Sequence, residues 1–273
     1  MLSRDARYVM WSTRATGLYP GDAVQNEGDI YVFDRQIPLM RMASLSSANS
    51  IVVGGVTNGY NAAASFFSGQ GRWVGYSSFG YVIGALFDDC SHGYFVDMNT
   101  AVPTRLARDN NAGLLTCAVR TDSAGGLMAD NARTSFFFDT RDDPVTGAVR
   151  GARFIYRRSA INGASTLVAS GNGDSSNTFL SEDGLALSFI STATNLPGVP
   201  AGANGAARDC FVWRSPNTII NVSQPVVRAL GQTNGCNYVR LSRGGQHAVL
   251  DMQDALSAAD QNTFSDIYVR PVP

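Results

Sequence analysis

The residues able to do chemistry in this chain are few, and their spacing is informative. The four cysteines are Cys90, Cys117, Cys210 and Cys236, with intervals of 27 residues in the first pair and 26 in the last. A zinc site calls for Cys-x-x-Cys spacing or neighbouring histidines, and only His92 adjoins any of them. Two readings remain: disulfides Cys90–Cys117 and Cys210–Cys236 at equivalent places in a repeat, or four unrelated buried thiols. Bridges imply an oxidising compartment.

Catalysis has little to build on. The two histidines, His92 and His247, sit far apart in sequence, and no serine lies in a G-x-S-x-G elbow. A glycoside hydrolase needs two converging carboxylates. Glu27 lies in a polar loop, Glu182 and Asp183 in a hairpin turn, and Asp88 with Asp139 is a pair that no spacing selects. Phosphate cradles are absent, because no Gly-rich segment joins a strand to a helix. No catalytic residue is expected. Asn221-Val222-Ser223 is a glycosylation sequon, relevant only to a eukaryotic secretory route.

Binding has more candidates. PGDAVQNEGDIYV (20–32) and AADQNTFSDIYV (258–269) each set two Asp and one Asn before a strand: Asp22, Asn26, Asp29, and Asp260, Asn262, Asp266. Calcium takes six to eight oxygens, so backbone and water would complete such a shell. The local alternative is that these side chains cap backbone N–H groups. Segment 130–151 places Phe136, Phe137 and Phe138 between Arg133 and Arg141. It reads as an added buried strand or as an exposed aromatic and arginine patch.

Elements must position these groups, and the chain repeats. A short aromatic strand recurs five times: DIYVFD (29–34), HGYFVD (92–97), ARFIYR (152–157), DCFVWR (209–214) and DIYVRP (266–271). Upstream of each lies a hairpin with turn residues Asp5-Ala6, Gln70-Gly71, Ala124-Gly125, Asp183-Gly184 or Gly244-Gly245, read as two-residue turns needing positive φ. Downstream of the first four come PLMRMASL (38–45), VPTRLARD (102–109), ASTLVASG (164–171) and TIINVSQP (218–225). Each repeat is then four short antiparallel strands, A to D in chain order. One such sheet cannot bury both faces, whereas radial stacking does, so an all-β β-propeller is expected in preference to a sandwich.

The expected architecture is one domain over 1–273, with five blades at about 1–59, 60–113, 114–172, 173–232 and 233–273. The terminal blades are incomplete, since MLSRD supplies only the tail of a strand A and YVRPVP ends without a strand D. Five blades with imperfect closure is the reading taken. The B strands YVMW (8–11), WVGY (73–76), LALSF (185–189) and HAVL (247–250) should be buried. Antiparallel alternation puts the starts of strands A and C at one end, which brings the members of each cysteine pair together.

LSEDG (180–184), STATNL (191–196) and the D-x-[FY]-[VI] strand resemble the TolB-like, WD40-like bacterial propeller repeat. The resemblance covers nearly the whole chain and describes a blade, not an activity. It implies a binding platform of the periplasm or cell surface, or an accessory domain of a hydrolase.

Composition agrees with a packed core: 44% of residues are apolar, 16% charged, and the net charge is −1. Arg and Asp are interspersed, which argues against a nucleic-acid surface. No apolar run approaches the roughly 20 residues of a membrane span, and no secretory signal opens the chain. The expectation is a non-enzymatic binding or structural domain, periplasmic, cell-surface or secreted, taking a protein or envelope polymer through its B–C loops. No cofactor is expected apart from calcium. The rival readings are a carbohydrate-active propeller and an accessory propeller of a larger hydrolase.

Overall fold

A computed structural model describes residues 1–15, 17–19, 28–44, 63–78, 92–100, 102–105, 127–128, 134–139, 154–159, 165–199, 208–224, 235–253, 256 and 264–273. Among these, every regular element is a strand, and the strands form five antiparallel sheets. No helix among them is long and apolar enough to cross a membrane.

Sheet 1 holds β1 (Tyr8–Thr13), β2 (Asp29–Asp34) and β3 (Leu39–Met42). Sheet 2 holds β4 (Ala63–Phe67), β5 (Trp73–Ser78), β6 (His92–Asp97) and β7 (Val102–Arg105). Sheet 3 holds β8 (Leu127–Met128), β9 (Thr134–Asp139), β10 (Phe154–Ser159) and β11 (Ser165–Ala169). Sheet 4 holds β12 (Ser175–Leu180), β13 (Ala186–Ser191), β14 (Asp209–Arg214) and β15 (Thr218–Asn221). Sheet 5 holds β16 (Cys236–Leu241), β17 (His247–Met252) and β18 (Asp266–Pro271). Every sheet is a meander in chain order, as aromatic and β-branched strands joined by tight turns dictate. The first and last sheets have three strands, although Leu2 adds a single bridge to Val9.

The chain divides into two compact units, Met1–Val149 with Arg157–Ser165, and Arg150–Tyr156 with Thr166–Pro273. In the first, Met10, Ile30 and Val32 of sheet 1 pack on Phe67, Val74, Tyr76, Tyr94 and Val96 of sheet 2. In the second, Ile190, Cys210 and Val212 of sheet 4 pack on Val239, Leu241, Leu250 and Met252 of sheet 5. Each large apolar side chain so buried contributes roughly 1.5–3 kcal/mol.

The A–B connections are one device used repeatedly. In sheet 4, Gly184 N–H donates to Ser181 O (3.0 Å), Ser181 N–H to Ala186 O (2.8 Å) and Ala186 N–H to Ser181 Oγ (2.9 Å). Ser3, Ser68 and Ser242 make the same three contacts with the residues that follow them. These are longer loops than the two-residue turns expected. Each has a single left-handed residue: Ala6 (φ 55°), Gly71 (71°), Gly184 (73°) and Gly245 (69°). The serine hydroxyl satisfies a backbone donor that a shorter turn would not expose.

The same loops tie neighbouring sheets within a unit. Arg4 N–H donates to Gly69 O at 2.7 Å, and at the equivalent place Glu182 N–H donates to Arg243 O at 3.1 Å. Any Cβ on Gly71 would strike the Tyr8 ring, and one on Gly245 would stand 2.6 Å from Ala186 Cβ.

Two expectations need correction. Leu127–Met128 is the first described strand of sheet 3, and Phe136–Phe138 lie in β9, which is the strand alternative of the two readings and not a B–C loop; Ala124 and Gly125 lie outside the described residues. Leu127 pairs with Phe136 and Met128 with Ser135. Three adjacent aromatics favour a strand, and that preference outweighed the turn signal that displaced the reading by one strand. Burial of the B strands also holds unevenly. Ala186–Ser191 is buried throughout, whereas in β17 only Ala248, Leu250 and Met252 are buried and His247 and Val249 face solvent. Leu185 is exposed in the hairpin loop before β13.

Candidate binding face

The two ends of the sheets are built differently. At one end lie the five-residue A–B loops of sheets 2, 4 and 5 and the C–D turns of sheets 1, 2 and 4, of three or four residues. At the other end the B–C connections span 14–28, 79–91, 140–153, 192–208 and 253–265, thirteen to seventeen residues each. Loops of that length in a compact domain commonly carry function.

The strand ends beneath these long loops are locked by a repeated polar latch. In sheet 1, Ser44 Oγ donates to Asp29 Oδ1 (2.8 Å) and accepts from Ile30 N–H (3.2 Å). In sheet 4, Ser223 Oγ donates to Asp209 Oδ1 (3.0 Å) and accepts from Cys210 N–H (2.8 Å). All four polar residues are buried, so the hydrogen bonds replace lost hydration. The latch pairs Asp at the start of strand C with Ser two residues beyond strand D. Sheet 2 has His92 in place of the Asp, and Ala107 stands in sequence where the Ser would be. Sequence reading found the aspartates but not their serines, whose signal is the joint appearance of the two residue types.

Beside the sheet 4 latch, Cys210 and Cys236 form a disulfide with Cα atoms 5.6 Å apart, joining β14 to the start of β16. This is the expected pair. Cys90 and Cys117 lie outside the described residues. So do Asp22, Asn26, Asp260 and Asn262 of the calcium expectation, and Arg133 and Arg141 of the binding patch. Asp29 opens β2 and bonds Ser44, and Asp266 opens β18. Among the described residues no group of three His, Cys, Asp or Glu is gathered to hold a metal ion.

His92 begins strand C and His247 begins strand B, so they stand at opposite ends of their sheets. Glu182 is paired with Arg243, and Asp183 accepts from Ser181 Oγ (2.7 Å) and Leu185 N–H (2.9 Å). The sequon is a structural motif here: Asn221 Oδ1 accepts from the backbone N–H of Ser223.

Charge is organised at the short-loop end. Arg7 makes a forked bond to Asp34, and Arg72 an equivalent one to Asp97, each with a closest approach of 2.6 Å. Hydrogen bonding from Arg7 holds the Asp34 carboxyl well below the usual carboxylate range against the opposing effect of burial. Arg72 does the same for Asp97. Both aspartates also accept turn N–H groups, from Gln36 and Asn99.

Comparison with known proteins now places the fold. No family model matches the chain, and no curated protein matches it. Among solved structures it is similar to TolB from Acinetobacter baumannii, at 14% identity and a TM-score of 0.50, over 93% of this chain and 51% of that one. It is similar to a putative TolB from Agrobacterium tumefaciens, at 14% identity and a TM-score of 0.50, over 100% of this chain and 73% of that one. An oligogalacturonate lyase from Vibrio parahaemolyticus gives 13% identity and a TM-score of 0.53, over 99% and 63%. The chain thus has the TolB-like β-propeller fold. It spans about half the length of the Acinetobacter protein.

Proposed function

We propose that this chain is a non-enzymatic propeller domain that binds a protein or envelope polymer through the long B–C loops of its sheets. The observation that carries the reading is the asymmetry of the connections: thirteen to seventeen residues at one strand end against tight turns at the other. The Asp–Ser latches and the Cys210–Cys236 bridge stiffen the strand ends from which those loops leave, which lowers the ordering cost of binding. Arg141 belongs to one such loop in sequence and supplies a hydrogen-bonding cation of the kind found at binding hot spots. The disulfide supports an oxidising location, periplasmic, cell-surface or secreted.

The rival reading is an enzyme acting on a polymer, favoured by the likeness in fold to a lyase. Incubation with acidic and neutral polysaccharides, followed by chromatography of the products, separates the two. Retention on a polymer or protein without new products supports the binding reading; steady product formation overturns it.

A further inference from the structure

The B–C connection of sheet 4 leaves β13 after Ser191, directly against residues 170–174, which join β11 to β12. The two segments are bonded along their length. Ser191 Oγ donates to Asp174 O (3.1 Å) and accepts from Ala193 N–H (3.1 Å), and Thr192 N–H donates to the same Asp174 O (3.0 Å). Asn172 then pairs with Thr194 through its side chain. Its Oδ1 accepts from Thr194 N–H (2.8 Å) and its Nδ2 donates to Thr194 Oγ1 (2.9 Å). Asn172 N–H donates in turn to Asn195 Oδ1 (2.7 Å).

The glycines on either side of Asn172 allow this approach. A Cβ on Gly171 would stand 2.5 Å from Ala193 Cβ, and one on Gly173 would stand 2.7 Å from Ala193 N. Neither has a positive φ, so space and not backbone conformation requires glycine at both places. Ala193 and Leu196 are buried, so apolar packing adds to the hydrogen bonds.

Past this clamp the chain makes a tight turn. Val199 N–H donates to Leu196 O (3.1 Å), with Pro197 second and Gly198 third in the turn and Gly198 at φ 76°. That is the residue pattern of a type II turn. Pro197 and Gly198 are exposed, and a Cβ added to Gly198 would meet nothing within 4 Å. The Pro197 carbonyl and the Gly198 N–H make no hydrogen bond among the described residues. The stem of this connection is therefore fixed by the fold while its tip is left bare. Ordering the stem in advance removes a cost that a free loop meets on binding.

We propose that the Leu196–Val199 turn is the fixed contact element of the binding face and that Asn172 is its positioning residue. The inference rests on the binding reading above. No charged side chain lies in 192–199, so the turn meets its partner through main-chain groups. It fits a partner group that donates to the Pro197 carbonyl and accepts from the Gly198 N–H.

The intact 273-residue protein is compared with N172A, N172D and G198A by amide exchange, thermal melting and cosedimentation with isolated cell-envelope material. N172A removes both side-chain bonds to Thr194. It should speed exchange at Thr194 about tenfold and weaken cosedimentation to a similar degree, with the melting of the sheets little changed. N172D keeps an acceptor for Thr194 N–H and should restore both. G198A has room for its methyl group but not a favoured φ, so exchange at Val199 should rise and cosedimentation fall while Thr194 stays protected. Wild-type cosedimentation by N172A and G198A, unchanged exchange at Thr194 in N172A, or failure of N172D to rescue would each overturn this proposal alone. Absence of cosedimentation by the wild-type protein would overturn the binding reading and the proposal with it.

Discussion

Gly245 of sheet 5 lies against Ala186 of sheet 4 so closely that a Cβ on the glycine would stand 2.6 Å from the alanine Cβ. The same loop position in sheet 2, Gly71, is pressed against Tyr8 of sheet 1, and both glycines have positive φ. Steric room and backbone conformation therefore demand glycine independently. G245A should cost about 2–4 kcal/mol, combining left-handed strain with overpacking, as read by urea denaturation. Sheet 1 carries Ala6 at this place with φ 55°, so A6G should be neutral or mildly stabilising. Equal and small effects of the two changes would show that the close approach is not a constraint.

Tyr76 is fully buried between sheets 1 and 2, stacked on Tyr94, and its hydroxyl has no hydrogen-bond partner among the described residues. An unsatisfied buried hydroxyl costs about 1–3 kcal/mol, while the ring itself is needed for packing. Y76F should leave thermal stability unchanged or raise it, and Y76A should lower it by about 3–5 kcal/mol. A marked loss in Y76F would reveal a partner for the hydroxyl.

The Arg7–Asp34 and Arg72–Asp97 forks make stability depend on pH. Both carboxyls titrate lower in the folded protein than in the unfolded chain, where Asp titrates near its ordinary value of about 3.9. Their contribution is therefore complete above that value and is lost as pH falls through the folded values. Denaturation midpoints of the wild type should fall between pH 5 and pH 2, and the D34N/D97N variant should show a shallower fall. Parallel profiles would remove these pairs from the account. The effect should be modest, since the arginines are partly exposed.

Reduction tests the covalent tie between sheets 4 and 5. Peptide mapping without reductant should recover Cys210 joined to Cys236, and, on the repeat argument, Cys90 joined to Cys117. The C210S/C236S variant should lose about 2–4 kcal/mol, measured by denaturation under oxidising conditions. Recovery of four free thiols, or of crossed pairs, would contradict the reading.

How much of this was legible beforehand differs by element. The strand C segments 29–34, 92–97, 209–214 and 266–271 coincide with β2, β6, β14 and β18, because an opening Asp or His followed by aromatic and aliphatic residues marks each one. The Cys210–Cys236 pairing was legible because spacing and strand order agree. The first two strands of sheet 3 were misread by one place, since a two-residue first strand leaves almost no periodicity. The Asp–Ser latch was invisible, because its partners lie 14 or 15 residues apart and only the fold brings them together. Exposure of Val249, Ile267 and Val269 also escaped, since an apolar strand looks the same whether or not a neighbour covers it.

The central claim, binding through the long-loop ends, is tested most directly by cosedimentation with isolated cell-envelope material. Three proteins are compared: wild type, a variant with residues 192–208 replaced by a short turn, and D183K/L185K at the opposite strand end. The account predicts that the loop replacement, with its circular dichroism unchanged, loses cosedimentation, whereas D183K/L185K sediments like the wild type. Unchanged cosedimentation of the loop variant, with loss in D183K/L185K, would place binding at the short-loop end and contradict it.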